Sequence, residues 1–473
     1  VTPDEFRAAG HAMVDWIADY RTRLARGEFP VQSPVRPGEV MAQLADAAPA
    51  AGEPIEQVFA QFLTTIVPGI SHWQHPSFFG YFPANSSLPS VLGDLLSSGL
   101  GVIGLNWQSS PALTELETVT VRWMRDLVGL SPAWSGAIQD TASTASLVAL
   151  ICARERATQY AGARGGLQGV AAPLIVYAST QAHSSVEKAA VLAGFGRDHV
   201  RSIGTDENFA LSTADLERAI AEDRARGHTP CAIVATTGTT GVTAMDPIAA
   251  IASIARREGL WLHVDSAMAG SAMLLPEYRH HWDGIEGADS IIVNAHKWLG
   301  AVFDCTLYFV RDSEHLIRVM STNPSYLQSS VDAQVINYRD WGIPLGRRLR
   351  ALKLWFLLRT EGTDALRARL RRDLANAQWL ARTVAATEHW KVVAPVPLQT
   401  VCVRHEPPGL SGAALDRHTQ AWAARINASG AAYLTPAIAA DQWMVRVSIG
   451  AEATERAHVE ALWKAMQAAV AAI

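Results

Sequence analysis

The chain has 473 residues, 49% hydrophobic and 18% charged, a globular balance with length for one large domain and smaller ones. Its net charge of −5 excludes the basic face that nucleic-acid binding requires. Four scattered cysteines, Cys152, Cys231, Cys305 and Cys402, form no CxxC pair, which excludes a disulfide frame or cysteine zinc site and points to a reducing, cytoplasmic setting.

Thr2-Pro3-Asp4-Glu5 reads as a helix cap, a proline at the first helical position and a capping-box acid; Phe6, Met13, Val14, Ile17 and Tyr20 continue at helical spacing. No basic segment followed by an apolar core opens the chain, so no secretory signal is expected. A proline-rich linker, Phe29 to Pro37, leads to a second helical segment. From Gln57 to Gly93 there is no Asp, Glu, Lys or Arg, and Leu95 to Thr114 is again uncharged. Pro76, Pro83 and Pro89 speak against a membrane span there. Such a stretch must be buried in a core, a subunit interface or a site wall, and the aromatic run His72 to Phe82 favours the last two.

From about Leu113 to Phe309 helices and strands alternate. Strand-like runs are PLIVYAS (173–179), CAIVATT (231–237), LWLHVD (260–265), SIIVNA (290–295) and CTLYFV (305–310), with helices such as Thr213 to Arg226 and Pro247 to Glu258 between several of them. This is α/β architecture with a mainly parallel sheet, whose ligands sit at the carboxyl ends of strands. A helical region from Arg347 to Glu388 precedes two further strands, LQTVCVRHE and WMVRVSIG, and a helix from Glu455, which together form a small α+β C-terminal domain.

Chemistry-bearing residues follow four of the strands. Asp265 closes LWLHVD, Thr239 and Thr240 follow CAIVATTG, His183 follows LIVYASTQA, and Lys297 follows SIIVNA. Most strand-end lysines reach for water, and taken singly Asp265 is a cap, His183 a core residue and the threonines turn formers. A partly desolvated lysine, however, has a depressed pKa and can form a Schiff base as a neutral amine. An aspartate, a histidine, hydroxyls and a lysine converging on one cleft suit pyridoxal phosphate: the lysine takes the aldehyde, the aspartate pairs with the pyridinium nitrogen, and the histidine lies on the ring. The phosphate needs a helix start with small residues, and Thr141, Ala142 and Ser143 open QDTASTASLVALICARER.

HVDSAMAGSA (263–272), NAHKWLG (294–300), QAHSSVEKAA (181–190) and IPLGRRLRALKLWF (343–356), with SHWQHPSFFGYFP and SSPALTELE nearer the N-terminus, resemble the aromatic-L-amino-acid decarboxylases among the group II pyridoxal-phosphate-dependent decarboxylases, most closely a bacterial DOPA-decarboxylase-like branch. The resemblance spans essentially the whole chain. It implies fold type I, the aspartate-aminotransferase-like fold, and a homodimer with sites at the subunit interface. It also implies a helical segment over 1–85 contributing to that interface, a large cofactor domain over 86–346 and a small domain over 347–473. By resemblance Lys297 carries the cofactor, Asp265 pairs its ring nitrogen and His183 stacks on the ring. Thr240, Asn294, Ala142 and Ser143 contact the cofactor, and His296 lies beside phosphate or substrate. Asp246 stands behind His183 and Asp265, and Leu345 and Gly346 reach the other subunit's phosphate. Trp73, Tyr81, Phe82, Pro83, Ala84, Ile103 and Leu105 wall an aromatic substrate, and Tyr326 on a long polar loop (321–340) protonates Cα. Asp140 stands where animal relatives have glycine, and Ala84 where catechol-binding relatives often have a hydroxyl.

The expected activity is decarboxylation of an aromatic L-amino acid to its amine, with DOPA, tyrosine, tryptophan and phenylalanine undistinguished. An aminotransferase would use the same lysine and aspartate on a different Cα bond. An aldehyde synthase would usually lack the loop tyrosine, and a non-catalytic cofactor-binding protein would have no need of every chemical group.

Overall fold

The structure is a computed structural model that describes residues 1–322 and 324–471; Asn323, residues 472–473 and the side chain of Tyr326 lie outside the described residues. By its internal contacts the chain divides into two compact units, one of residues 1–83, 379–391 and 403–473, the other of residues 84–378 and 392–402. Among the described residues no helix is long and apolar enough to cross a membrane.

In the larger unit seven strands share one sheet: β1 (Ser135–Gln139), β2 (Leu174–Ser179), β3 (Val200–Ile203), β4 (Thr229–Thr236), β5 (Trp261–Asp265), β6 (Ser290–Asn294) and β7 (Thr306–Val310). Their order is β1-β7-β6-β5-β4-β2-β3. The pairings among β2 to β6 are parallel, whereas β7 runs antiparallel to both β1 and β6. Every residue of β2, β5, β6 and β7 is buried. That is why those strands read as unbroken apolar runs, since helices cover both faces of such a sheet. The helix Ala142–Ala157 lays Ala145, Val148, Ala149 and Cys152 on a core that includes Val176, Ala232, Ile292 and Tyr308.

This topology brings the carboxyl ends of β1, β2, β4, β5 and β6, and the start of β7, to one edge. Gln139 and Asn294 both pair with Thr306, and Thr236 pairs with Asp265.

The helix Leu88–Leu100 has reversed polarity. Ser90, Gly93 and Ser97 are buried, while Leu88, Leu92, Leu95, Leu96 and Leu100 are 43–62% exposed. Close approach requires the glycine, because a Cβ on Gly93 would lie 2.8 Å from the Cα of Lys353. The fully buried Lys353 ammonium pairs with Asp94 at 3.2 Å.

The smaller unit begins with the helix Pro3–Ala25. Thr2 accepts from the Glu5 N–H at 3.2 Å and Glu5 accepts from the Thr2 N–H at 2.7 Å, so the capping box read in the sequence is closed. Trp390, Trp422 and Trp463 meet edge to face in its core. Near the C-terminus β8 (Trp390–Val392), β9 (Thr400–His405), β10 (Thr435–Ala439) and β11 (Gln442–Ser448) form a second sheet in the order β10-β11-β9-β8, with β10 and β11 antiparallel. A mainly parallel sheet plus this separate antiparallel one is the expected fold type I arrangement.

Candidate active site

Lys297 leaves β6 through a turn, Ala295–Leu299, in which its own backbone (φ −92°, ψ −109°) is not helical. Its side chain is half-buried. Burial lowers its pKa, opposed by the charge of Asp265, which moves the group toward its neutral amine.

Asp265 ends β5 buried, one carboxylate oxygen accepting from the Ala267 N–H at 3.0 Å. Beneath it the hydroxyls of Thr237 and Ser266 are hydrogen-bonded, and the Trp282 indole donates to both at 3.0 Å.

His183 caps the helix Ser184–Leu192. Its Nδ1 accepts from the Ser185 N–H at 3.1 Å, which leaves the ring proton on Nε2. Burial lowers the His183 pKa; Asp265 opposes this and Lys297 adds to it. Lysine, aspartate and histidine thus occupy one electrostatic neighbourhood at the sheet edge.

The helix Ala142–Ala157 starts beside them. Thr141 caps it, accepting from the Thr144 N–H at 3.4 Å. The first-turn N–H groups of Ala142 and Ser143 have no intrahelical acceptor, as at any helix start, and they carry the positive end of the helix dipole. Asp140 turns its carboxylate onto the Thr141 N–H at 2.6 Å, leaving those two groups open.

The sequence reading missed Thr306. Its hydroxyl reaches the Asp140 carbonyl at 3.2 Å and Asn294 Oδ1 at 2.9 Å, tying the helix start to the strand that leads to Lys297. A buried hydroxyl inside the apolar run CTLYFV was the signal for it.

Around this centre, Thr240 is half-buried, whereas the Thr239 hydroxyl is engaged inside its loop by the Ala244 N–H at 3.0 Å. Nδ1 of His296 accepts from the Cys305 N–H at 2.9 Å, and burial holds the ring neutral with a pKa of about 4. Asp246 accepts from the backbone N–H groups of Leu211 at 2.8 Å and Thr236 at 2.7 Å, bracing the end of β4. Burial raises its pKa to about 6.

Other expected site residues lie in separate groups. Gly346 faces Ile103 and Leu105, and next to it Gly104 and Arg347 exchange backbone hydrogen bonds of 2.8 and 3.1 Å, while Leu345 is exposed. A Cβ on Gly346 would sit 3.5 Å from Ile103. Arg347 is buried on Glu117 at 2.7 Å, which anchors the segment. Ala84 belongs to the same unit, whereas Trp73, Tyr81, Phe82 and Pro83 belong to the smaller one. There Trp73 stacks between Phe78 and Tyr81, with ring centroids 4.6 and 5.5 Å away.

Tyr326 falls in a single helical turn, Ser325–Leu327, and its side chain lies outside the described residues. The segment 321–340, read as a surface loop, buries its far end through Tyr338 and Arg339. Arg339 donates to the Leu327 carbonyl at 3.0 Å, and the Tyr338 hydroxyl is engaged with Thr118 at 3.1 Å.

Residues 37–406 match the pyridoxal-dependent decarboxylase conserved domain. The chain belongs to the pyridoxal-dependent decarboxylase family. Similar members include phenylacetaldehyde synthase of Arabidopsis thaliana, 39% identical over 98% of this chain and 95% of that protein. Tyrosine decarboxylase of Papaver somniferum is 37% identical over 98% of this chain and 94% of its own. The crystal structure of Oryza sativa TDC with PLP and tryptamine superposes with a TM-score of 0.95 at 35% identity, covering 100% of this chain and 98% of that one. The decarboxylase cofactor, pyridoxal phosphate, fits the residues present. A helix start with two open N–H groups suits its phosphate, a desolvated amine its aldehyde, and a buried carboxylate its ring nitrogen.

Proposed function

We propose that this decarboxylase acts on an aromatic L-amino acid, releasing CO2 and the corresponding amine. The observation that carries the reading is the depressed amine of Lys297 set against the buried carboxylate of Asp265 beside the open helix start at Ala142. The bound cofactor supplies an electron-withdrawing ring joined to the substrate nitrogen.

The chain's residues supply the rest. Lys297 would hold the cofactor covalently and release it to the incoming amine. The Asp265 carboxylate would keep a proton on the ring nitrogen, which it can do because the Ala267 N–H fixes its orientation. His183, with Nδ1 tied to Ser185, would present its ring face and Nε2–H to the site. Thr141, Ala142, Ser143, Thr240 and Asn294 would seat the phosphate, with His296 neutral alongside and Asp246 bracing β4 behind. Tyr326 would return a proton to Cα once CO2 has left. Ala84, Ile103 and Leu105, in the same unit as Lys297, would offer aliphatic surface for the substrate ring.

We place these sites in a homodimer, which the leucines exposed along Leu88–Leu100 support. Leu345 and Gly346 would then reach the partner's phosphate. Four buried free thiols suit a cytoplasmic setting.

The similarity to a phenylacetaldehyde synthase favours a second reading, in which the same residues yield aldehyde, ammonia and peroxide with oxygen as co-substrate. The test is to load the protein with pyridoxal phosphate and supply phenylalanine, tyrosine, DOPA or tryptophan while recording CO2, amine and aldehyde. Amine with CO2 is expected. Aldehyde in its place selects the second reading, and no CO2 from any of the four overturns both.

A further inference from the structure

The backbone that carries Lys297 is held from outside. After Ala295 the chain is not a regular helix, so its carbonyls need other partners. The Lys297 carbonyl accepts from the Asn85 N–H at 3.3 Å, and the Gly300 carbonyl from the Ser87 N–H at 3.0 Å. Both carbonyls between them, those of Trp298 and Leu299, are taken by one guanidinium nitrogen of Arg369, which projects from the long helix that follows the break at Gly362 within Arg350–Ala385.

One turn further along that helix, the fully buried Asp373 accepts from the Trp298 indole at 2.9 Å. Gly300 makes the approach possible. Its φ of +105° suits glycine, and a Cβ there would stand 2.9 Å from the Arg369 guanidinium. A cation on two otherwise unmatched carbonyls and a carboxylate on the adjoining indole are stronger than neutral hydrogen bonds; the Asp373 contact is buried and the Arg369 contacts are part-buried.

We propose that Arg369 and Asp373 are positioning residues. They clamp Trp298–Gly300 onto the long helix, and so fix the non-helical backbone of Lys297 and the direction in which its amine points. This rests on the reading that Lys297 holds the cofactor. It assigns to a helix remote in sequence the job of keeping the amine in reach of the cofactor aldehyde. Losing the clamp would let the amine swing away, and the cofactor would be lost to competing carbonyl reagents sooner than the fold is.

The experiment uses the holoenzyme in three forms: wild type, Arg369→Gln and Arg369→Lys. Amide hydrogen exchange across residues 295–301 is followed together with the rate at which hydroxylamine strips the cofactor. Arg369→Gln should speed both about tenfold or more, with exchange in β4 and β5 unchanged, and Arg369→Lys should recover part of each. Wild-type exchange and stripping in Arg369→Gln overturn the proposal, as does faster exchange spread evenly over the sheet.

If Arg369→Gln does not fold, Trp298→Phe removes the Asp373 contact alone. It should raise local exchange and stripping about threefold, and no change in either is equally decisive against the clamp. Borohydride reduction of the wild type separates the two claims. Label on another lysine defeats the Lys297 reading, while local exchange still reports on whether the clamp holds the segment.

Discussion

Asp265 and Asp246 are both buried carboxylates near the same strand ends, yet their surroundings give them different work. Asp246 has each oxygen on a backbone N–H, so it is committed to holding the chain. Asp265 gives one oxygen to Ala267 and remains within the field of Lys297 and His183, which suits a group that must answer a ligand's charge. Replacing Asp265 by Asn keeps the shape and removes the charge. It should lower kcat by about 10²- to 10³-fold, as for other preorganised electrostatic groups, with cofactor still bound; unchanged turnover at full occupancy would refute the role. Lys297→Ala should bind cofactor without the covalent link and lose nearly all turnover, and borohydride should label no other lysine in the wild type. For Tyr326→Phe the products decide. Loss of CO2 should persist while aldehyde rises at the expense of amine, and wild-type amine without aldehyde would assign the proton to another donor, His183 being the next candidate.

At the scale of elements, the site depends on β7 as much as on the strands that end there. Thr306→Val removes a hydroxyl that serves both Asp140 and Asn294. The buried Asn294 oxygen and the part-buried Asp140 carbonyl share that one donor, and its loss should cost about 1–3 kcal/mol of stability. The helix start should also hold phosphate less well, so titration with pyridoxal phosphate should show weaker binding than in Thr306→Ser. The five strands β2, β4, β5, β6 and β7 were legible in the sequence because burial on both faces makes each an apolar run. The places of Lys297, Asp265 and His183 at the sheet edge were legible because each ends or follows one of them. β1 was not, since SGAIQ is short and opens on polar residues; Gly136 belongs there because a Cβ would meet Phe309 at 2.7 Å, a fact of packing that no local pattern carries. Arg369 and Asp373 were hidden for a related reason. On the sequence they are two charges in an ordinary amphipathic helix, and only the tertiary fold shows what they hold.

For the whole molecule, acid should destabilise. His75, His263, His296 and His405 are held near 4 by burial, against 6.5 when free, so they stay neutral in the fold and take up protons on unfolding. Their contribution is present above 6.5 and is lost as pH falls toward 4. Asp246 and Asp373, raised to about 6, act in the opposite sense between 6 and 3.8, but they are two against four. The thermal midpoint should therefore drop by several degrees from pH 7 to pH 5, and a rise on acidification would contradict this balance. The exposed leucines of Leu88–Leu100 predict an obligate dimer, since so large an apolar stripe marks a permanent interface; a fully active monomer in sedimentation at low concentration would rule it out. The strand order also has a consequence in time. β1 has a single sheet neighbour, β7, and Gln139 must find Thr306 across the whole intervening chain. Contacts that distant close late, after the nearer pairings have formed. The helix start at Ala142 follows β1 directly, so the anion seat should be completed only when this long-range pairing forms. A refolding chain should show native strand protection before it can take up pyridoxal phosphate, and cofactor uptake would then mark the moment at which the last strand enters.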